Sequence, residues 1–446
     1  MEVDFLIKIE LYVITSQSYC YIKNYIVLII TLTIENYWNL KMRIKPFNGL
    51  VPSPSKTELV ASVPYDVVNT DEARALAQGN SDSLLNVSRA EINFEDGFDP
   101  YSSKVYEKAK FNFNRLVNDG VLIREEEPCI YIYRQDMNGH VQTGIVAVSH
   151  VDDYNDNYIR KHEKTRPVKE DDRTHLASTL RAHLGPVFLT YRNDHEINSS
   201  VKNFIEANPV NVDFIASDGV RHTTWKVSGG GEFPGLFEKI PLAYVADGHH
   251  RSASAARVST EFKERHQSIN DDEDYNWFLT VFFPDNELNV LPYNRVVKDL
   301  NGLDEINFLN AVKKVADLSE SDSSVPLSSG NTKMYFSGEW YNLKWDNMID
   351  DPVKSLDVSI LQENLLSPIL GINDPRTDSR IDFIGGIRGN AEIERIVNDG
   401  AAVVGFSMYP VEVSQLMSIA DNGQIMPPKS TWFEPKLRSG LFIHTF

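Results

Sequence analysis

One short run constrains the fold of this chain more than any other: residues 245–253 read VADGHHRSA. Residues 242–246 are apolar and typical of a strand, whereas the residues from Arg251 onward (RSASAARVSTEFKER) are typical of a helix, and their small side chains let it lie close to a sheet. Gly248 stands at the junction, where it can adopt a positive φ. The sequence therefore predicts a strand, a glycine turn and a helix in immediate succession.

This turn has the layout of a phosphate or other oxyanion site. The free N–H groups at the start of a helix attract anions, and His249, His250 and Arg251 add further donors. Asp247 does not fit simple anion binding, because a carboxylate repels phosphate unless a cation lies between them or the carboxylate handles a proton. The alternative is structural, with Asp247 capping the helix and the histidines making local hydrogen bonds. The doubled histidine favours a functional site for the turn, Asp247 to Arg251 with Gly248 included.

A second charged motif, KHEKTRP, occupies residues 161–167. Taken alone, the motif is more typical of a solvated charged loop than of a functional site. Combined with the glycine turn, it completes the parts needed for phosphoryl transfer, which are cations for phosphate oxygens and a carboxylate for a hydroxyl proton. We therefore predict Glu163 and Asp247 as catalytic residues, with Glu163 as the base. The predicted phosphate-binding residues are Lys161, His162, Arg166, Gly248, His249, His250 and Arg251.

Composition excludes several classes of protein. The formal net charge of −19 argues against a general nucleic-acid surface, which needs clustered positive charge. Cys20 and Cys129 are the two cysteines, so a disulfide framework and a cysteine metal site are excluded, which is typical of a reducing cytoplasm. The sequence contains no P-loop, Rossmann fingerprint or HExxH motif. We expect a cytoplasmic protein that binds small molecules rather than nucleic acid or membrane, and its oligomeric state stays open.

Residues 1–41 differ from the rest, because they contain no Ala, Gly, Pro or Arg. We expect a non-native leader or disordered extension, with the native start at Met42. A membrane anchor is the alternative, but the two longest uncharged runs, residues 11–22 and 24–34, have 12 and 11 residues, against about 18 or more for a membrane span. The segment has three basic and four acidic residues, so without it the net charge is −18.

From Met42 onward, hairpin signals alternate with helical patterns, which predicts a mixed α+β fold rather than a doubly wound parallel sheet. The Asn138-Gly139 pair predicts a hairpin between strands at 129–134 and 141–151. A polar segment at 319–332 predicts a linker between a catalytic domain at 42–318 and a C-terminal α+β region at 333–446. The other main expectations are helices at 71–78, 106–117, 171–184, 358–366 and 391–397, and strands at 187–191, 277–283, 288–297 and 402–408.

Several long motifs resemble one family over residues 42–446. They are VASVPYDVV, YEKAK, TGIVAVSHVDDY, KHEKTRP, GPVFLTYR, ADGHHRSASAAR, YNRVVKDLNGL, DPRTDSRIDFIGG and MPPKSTWFEPKLRSGLF. The family is domain-of-unknown-function family 1015, which is similar through its DGHHR turn to the ParB/sulfiredoxin superfamily and, within it, to the free-serine kinases. The resemblance implies a ParB/sulfiredoxin-like catalytic core with insertions.

The resemblance also implies a pyrophosphate-dependent kinase that makes O-phospho-L-serine from L-serine in serine and cysteine metabolism. ADP and ATP are the alternative phosphoryl donors, and Mg²⁺ is the expected metal. The turn maps onto Asp247, Gly248, His249 and Arg251, whereas His250 departs from the kinase pattern. Lys429 and Arg438 are candidate partners for the substrate carboxylate. A ParB-like nucleotide-binding regulatory module and a phosphohydrolase using the same site are the alternatives, and whether the C-terminal motifs reach the turn stays open.

Overall fold

A computed structural model describes residues 42–267, 270–345 and 350–446, and the expectations for residues 1–41 lie outside it. Contacts group Met42–Phe446 into one compact unit. Within the described residues, no helix combines the length and the apolar character needed to cross a bilayer.

A large mixed sheet lies at the centre of the described chain and has nine strands there. Most neighbouring strands run antiparallel, and the two parallel pairs join Ala243–Asp247 to Ile159–Arg160 and Trp277–Pro284 to Val187–Tyr191. Eight strands form a continuous path, and Ile44–Lys45 adds to His140–His150. In spatial order the eight are Ile159–Arg160, Ala243–Asp247, Val187–Tyr191, Trp277–Pro284, His140–His150, Cys129–Met137, Arg221–Ser228 and Val212–Ile215.

Both faces of this central sheet are covered. Along Cys129–Met137, Tyr131 and Tyr133 belong to one hydrophobic cluster, while Ile130 and Ile132 belong to another. Side chains of a strand alternate between faces, so these two clusters are the two covered faces of the sheet. Burial on both sides explains why its strands read as continuous apolar runs.

A second sheet has six antiparallel strands within the described residues. In spatial order they are Asp317–Glu320, Glu339–Lys344, Asn331–Phe336, Val404–Ser407, Tyr293–Val297 and Ile381–Gly385. Phe308, Leu343 and Phe406 join the same hydrophobic cluster as Tyr131 of the central sheet. One core therefore lies against both sheets.

The remaining elements are short strand pairs and helices. The pairs are Leu50–Pro52 with Leu122–Arg124, Ala182–His183 with His444–Thr445, and Asn289–Leu291 with Trp432–Glu434. The helices of eight or more residues are Thr70–Ala77, Ser103–Asn118, Pro167–Leu180, His195–Ala207, His249–His266, Glu305–Val312, Ala391–Asn398 and Val413–Asp421. Shorter helices are Thr57–Val60, Leu85–Ser88, Val151–Asn155, Phe233–Phe237 and Asp357–Leu361.

The expected mixed α+β class is confirmed, and three predicted elements are corrected. The helix expected at 171–184 ends at Leu180, because Arg181 adopts a left-handed conformation with φ 53°. The strand expected at 288–297 divides into Asn289–Leu291 and Tyr293–Val297, which enter different sheets, since Pro292 between them has no N–H to donate. The helix expected at 358–366 widens from residue 362 into a π-helical turn.

The two-domain division stays a prediction. Strands of the second sheet come from both sides of the segment 319–332, since Tyr293–Val297 lies before it and Glu339–Lys344 lies after it. That segment joins two strands of this sheet, because it overlaps the end of Asp317–Glu320 and the beginning of Asn331–Phe336.

A buried histidine on the central sheet couples folding to pH. His222 is fully buried, and its Nδ1 lies 2.7 Å from the hydroxyl of Tyr133. Burial, reinforced by the charge of Arg438, lowers the pKa of His222 to about 3. Because the unfolded chain protonates this ring near pH 6.5 and the folded chain does not, acid favours unfolding between these values.

We predict that His222→Gln makes stability less sensitive to acid. Between pH 7 and pH 5, the protonation of His222 in the unfolded state costs the wild type about 2 kcal/mol that the variant does not lose. Urea unfolding at the two pH values measures the difference. The control is His195→Gln, which removes an exposed ring. Equal pH slopes for His222→Gln and the wild type would contradict the prediction.

Candidate functional site

The strand, turn and helix expected at residues 242–253 are present. The strand is Ala243–Asp247, Gly248 has φ 101°, and the helix His249–His266 follows without a break. A Cβ on Gly248 would lie 3.2 Å from the guanidinium carbon of Arg251 and would be strained at this φ. Glycine is therefore required at the corner, where the helix begins with N–H groups that no side chain caps.

Asp247 forms an ion pair at this corner with a residue from the far end of the chain. Its Oδ2 accepts a hydrogen bond of 3.0 Å from Nζ of Lys436, and the two side chains are 24% and 13% exposed. Burial alone would raise the pKa of Asp247, but Lys436 and Arg251 outweigh burial and hold that pKa well below its usual range. Asp247 is therefore an ionised and positioned carboxylate.

Lys436 was not singled out from the sequence, although it lies in the quoted motif MPPKSTWFEPKLRSGLF. The strand Trp432–Glu434 pairs with Asn289–Leu291 and directs the following residues toward the turn. Nζ of Lys436 also lies 4.5 Å from the ring centroid of Trp432. The C-terminal motif therefore does reach the glycine turn.

The loop that carries KHEKTRP lies against the same corner. The backbone N–H of Arg166 donates to Nε2 of His250 at 3.0 Å. The rings of His162 and His249 meet edge to face, with centroids 4.5 Å apart. The backbone N–H of Met426 donates to the carbonyl of His162 at 2.8 Å, which adds the C-terminal segment to the contact. Three separate stretches of sequence thus meet at one point.

Glu163 lies partly buried at this meeting point. Within the described part of the chain, its carboxylate has no hydrogen bond and no ion pair within 4 Å. Burial raises the pKa of Glu163, against the opposing charges of Lys429 and His250. Its carboxylate therefore differs from that of Asp247: it has no fixed partner and accepts a proton more readily.

Two C-terminal residues predicted to bind substrate lie in different surroundings. Lys429 has a left-handed backbone with φ 55° and lies close enough to Glu163 for their charges to interact. Burial lowers the pKa of Lys429, but Tyr293 and Glu163 outweigh it, so that the pKa is raised. Arg438 is 3% exposed and forms an ion pair with Asp218 instead. Lys429 joins the site, whereas the guanidinium of Arg438 is already engaged.

The cationic groups of two predicted phosphate-binding residues donate to backbone carbonyls. Nζ of Lys161 donates to the carbonyl of Tyr154 at 2.9 Å and lies over the ring of that residue. Arg251 donates from Nη1 to the carbonyl of Pro186, and its Nε has no partner among the described residues. Arg251 and Tyr65 line a cavity of about 60 Å³.

A further acidic residue was missed in the sequence. Asp66 lies close enough to Lys429, Lys436 and His250 for its negative charge to raise the pKa of each. Burial has the opposite effect and lowers the pKa of all three. In Lys429 and Lys436 the acidic neighbours outweigh burial, whereas the pKa of His250 remains lowered. Asp66 belongs to the motif VASVPYDVV, which was quoted only for its resemblance.

The buried imidazoles are neutral near pH 7. Burial lowers the pKa of His249 to about 4 and holds the pKa of His162 well below its ordinary value. One ligand atom from each of His162, Glu163 and His249 lies within 4.8 Å of the others, which is a spacing that can hold a metal ion. The corner thus combines helix N–H groups, lysines and unengaged carboxylate and imidazole atoms, a set that can hold an anion and move a proton.

Comparison with protein families identifies the chain. The model of the family described as "Protein of unknown function (DUF1015)" matches residues 44–359. This match covers more than half of the chain, so the chain belongs to that family, and the resemblance drawn from the motifs is confirmed. No curated protein sequence matches the chain.

Solved structures show distant similarity. A conserved hypothetical protein from Pyrococcus furiosus is 11% identical, with 66% of this chain and 93% of that chain covered and a TM-score of 0.33. A free serine kinase in complex with AMP is 11% identical, with 66% and 92% covered and a TM-score of 0.34. SbnI with C-terminal truncation from Staphylococcus aureus is 10% identical, with 65% and 82% covered and a TM-score of 0.34. TM-scores below 0.5 carry no conclusion about activity.

We predict that Lys436→Met destabilises the protein by about 2 kcal/mol, because it leaves the Asp247 carboxylate without its cation. The expected loss is below the roughly 3–5 kcal/mol of a fully buried pair, since both side chains retain some exposure. In the double variant Asp247→Asn/Lys436→Met the loss is smaller than the sum of the two single losses by about 1 kcal/mol or more. Denaturant unfolding of the wild type, the two single variants and the double variant measures this coupling. Additive losses would contradict the prediction, because they would show that the contact contributes no coupling free energy.

Proposed function

We propose that this protein is a cytoplasmic phosphotransferase that phosphorylates the hydroxyl of free L-serine to O-phospho-L-serine, with pyrophosphate as the donor. The observation that carries the proposal is the position of Glu163. Its carboxylate has no partner among the described residues and lies within 4.8 Å of His249, the first residue of the long helix. A proton acceptor is thus placed beside an anion-binding helix N-terminus.

The chemistry divides between these two features. The N–H groups at the start of His249–His266 hold phosphate oxygens of the donor, with Arg166 and His250 beside them. Glu163 accepts the proton of the serine hydroxyl while the oxygen of that hydroxyl attacks the nearer phosphorus of pyrophosphate. A new O–P bond forms, the bond from that phosphorus to the bridging oxygen breaks, and inorganic phosphate leaves. Such a transfer depends chiefly on placement and charge stabilisation.

The surroundings of the two carboxylates assign their roles. Asp247 is held by Lys436 at 3.0 Å, so it is less available as a proton acceptor than the unpaired Glu163. Asp247 instead provides fixed negative charge at the turn, which orients Lys436 and attracts a cation that accompanies the donor. This arrangement answers the objection that a carboxylate next to phosphate is repulsive.

The zwitterionic acceptor needs two further partners. Lys429 lies next to Glu163 and supplies a cation for the carboxylate of serine. Asp66 lies near Lys429 and His250 and supplies an anion for the ammonium group. Arg438 has no part in this proposal, because Asp218 occupies its guanidinium.

Mg²⁺ prefers oxygen ligands, so the carboxylate of Asp247 at the turn would hold it together with phosphate oxygens of the donor. When bound with the donor, Mg²⁺ neutralises phosphate charge. The choice of pyrophosphate over ADP or ATP comes from the family resemblance, and the absence of a nucleotide fingerprint from the sequence agrees with it.

The direct experiment incubates the purified full chain with MgCl₂, L-serine and pyrophosphate, ADP or ATP, and measures O-phosphoserine. We expect phosphoserine with pyrophosphate. Phosphoserine with only ADP or ATP would replace the donor and keep the reaction class. No phosphoserine with any donor would overturn the proposal, and phosphate release without serine would then identify a phosphohydrolase.

We predict that Glu163→Gln and Asp247→Asn each lower turnover by about a hundredfold or more. The first removes the proton acceptor, and the second removes the fixed negative charge that orients Lys436 and attracts the cation of the donor. Initial rates of phosphoserine formation measure the effect, and thermal unfolding checks that each variant stays folded. The matched control is Glu206→Gln, which removes an exposed carboxylate on the helix His195–Ala207 and leaves the rate unchanged. Full activity in Glu163→Gln would remove Glu163 from the mechanism.

A further inference from the structure

Three side chains at the corner have unused ligand atoms. Both ring nitrogens of His162 and Nε2 of His249 are buried and have no hydrogen-bond partner among the described residues. The carboxylate of Glu163 has no partner in the same part of the chain. Buried polar atoms without a partner cost roughly 1–3 kcal/mol each and are uncommon in folded proteins. Their concentration at one point indicates that a ligand completes their bonding.

The spacing of these atoms suits a single ion. One ligand atom from each of the three residues lies within 4.8 Å of the others. Ligands at about 2.0–2.2 Å from a common ion lie about 3–3.5 Å from one another. Small side-chain rotations therefore bring the three atoms to coordination distance, and the backbone that carries His249 is already fixed by its helix.

We propose that His162, Glu163 and His249 form a binding site for a divalent transition-metal ion. Divalent transition-metal ions bind two imidazoles and one carboxylate and keep further coordination positions open for other ligands. Mg²⁺ instead prefers oxygen ligands alone. An anion does not fit the set as well, because the carboxylate would repel it and a neutral imidazole offers a lone pair. The ammonium group of Lys161, which follows the strand Ile159–Arg160, donates to the carbonyl of Tyr154 at 2.9 Å.

A second group with suitable spacing serves as a comparison. His150, Asp152 and Asp271 also bring three ligand atoms within 4.8 Å. Both nitrogens of His150 already have partners, since Nδ1 accepts from the N–H of Asp152 and Nε2 lies 3.2 Å from the carbonyl of Asp271. Arg43 and Lys263 further neutralise Asp271. This second group has no unused imidazole atom and is the natural control.

The metal site goes beyond the proposed function and does not rest on it. A carboxylate has two oxygens, so Glu163 can bind the ion through one and accept a hydroxyl proton on the other. The positive N-terminus of the helix and the charge of the neighbouring Lys429 repel a bound cation, whereas the negative charge of Asp247 attracts it. An anionic donor can take the remaining positions of the ion.

The test measures metal binding without any substrate. The full chain is stripped with EDTA and titrated with Co²⁺, followed by visible absorption and equilibrium dialysis. We expect about one Co²⁺ per chain, retained in excess Mg²⁺, and a rise in the thermal midpoint because the ion binds only the folded state. His162→Gln, His249→Gln and Glu163→Gln should each weaken binding at least tenfold.

The control variants keep the proposal open to refutation. Asp271→Asn removes a carboxylate of the second group, and His175→Gln removes an exposed ring; both should bind Co²⁺ as the wild type does. If His162→Gln fails to fold, Glu163→Gln and the midpoint shift of the wild type decide the result. No binding by the wild type, unchanged binding in the ligand variants, or loss of binding in Asp271→Asn would each overturn the site. Because no substrate is present, failure here is distinguishable from failure of the phosphotransferase assay.

Discussion

The contact between Asp247 and Lys436 is the interaction on which the site depends. It joins a residue at the end of a central-sheet strand to one that lies 189 positions later in the chain, with 3.0 Å between the charged atoms. Because both side chains are mostly withdrawn from water, neither charge is tolerated there without the other. The pair therefore holds the C-terminal segment against the glycine turn, and with it Lys429.

The electrostatics of the corner follow from how burial and charge are balanced there. Burial suppresses the charge of His162 and His249, whereas Asp247 and Lys436 stay charged because each stabilises the other. Glu163 lies between these extremes, since burial raises its pKa and its carboxylate has no hydrogen bond or ion pair among the described residues. One small region thus holds neutral imidazoles, a fixed ion pair and a free carboxylate, which are groups with different chemical uses.

Much of the site was predictable from local sequence. Apolar residues before Gly248 and small ones after it predict the strand, turn and helix, and the hairpin at Asn138-Gly139 follows from its dipeptide. Predictions failed where one residue overrode a pattern, as when the left-handed Arg181 ended a helix early. Lys436 and Asp66 were missed because an isolated charge has no periodicity and gains its meaning only from a distant partner.

The sequence by itself determined the mixed α+β class, the family and the glycine corner, because these depend on neighbouring residues and on motifs read along the chain. Only the tertiary structure decided which charges meet at that corner. It brought Lys436 to Asp247 and engaged Arg438 with Asp218. It also left both ring nitrogens of His162 and Nε2 of His249 without hydrogen-bond partners among the described residues. The physical reason is that charge pairing and desolvation depend on distance in space, which spacing along the chain does not specify.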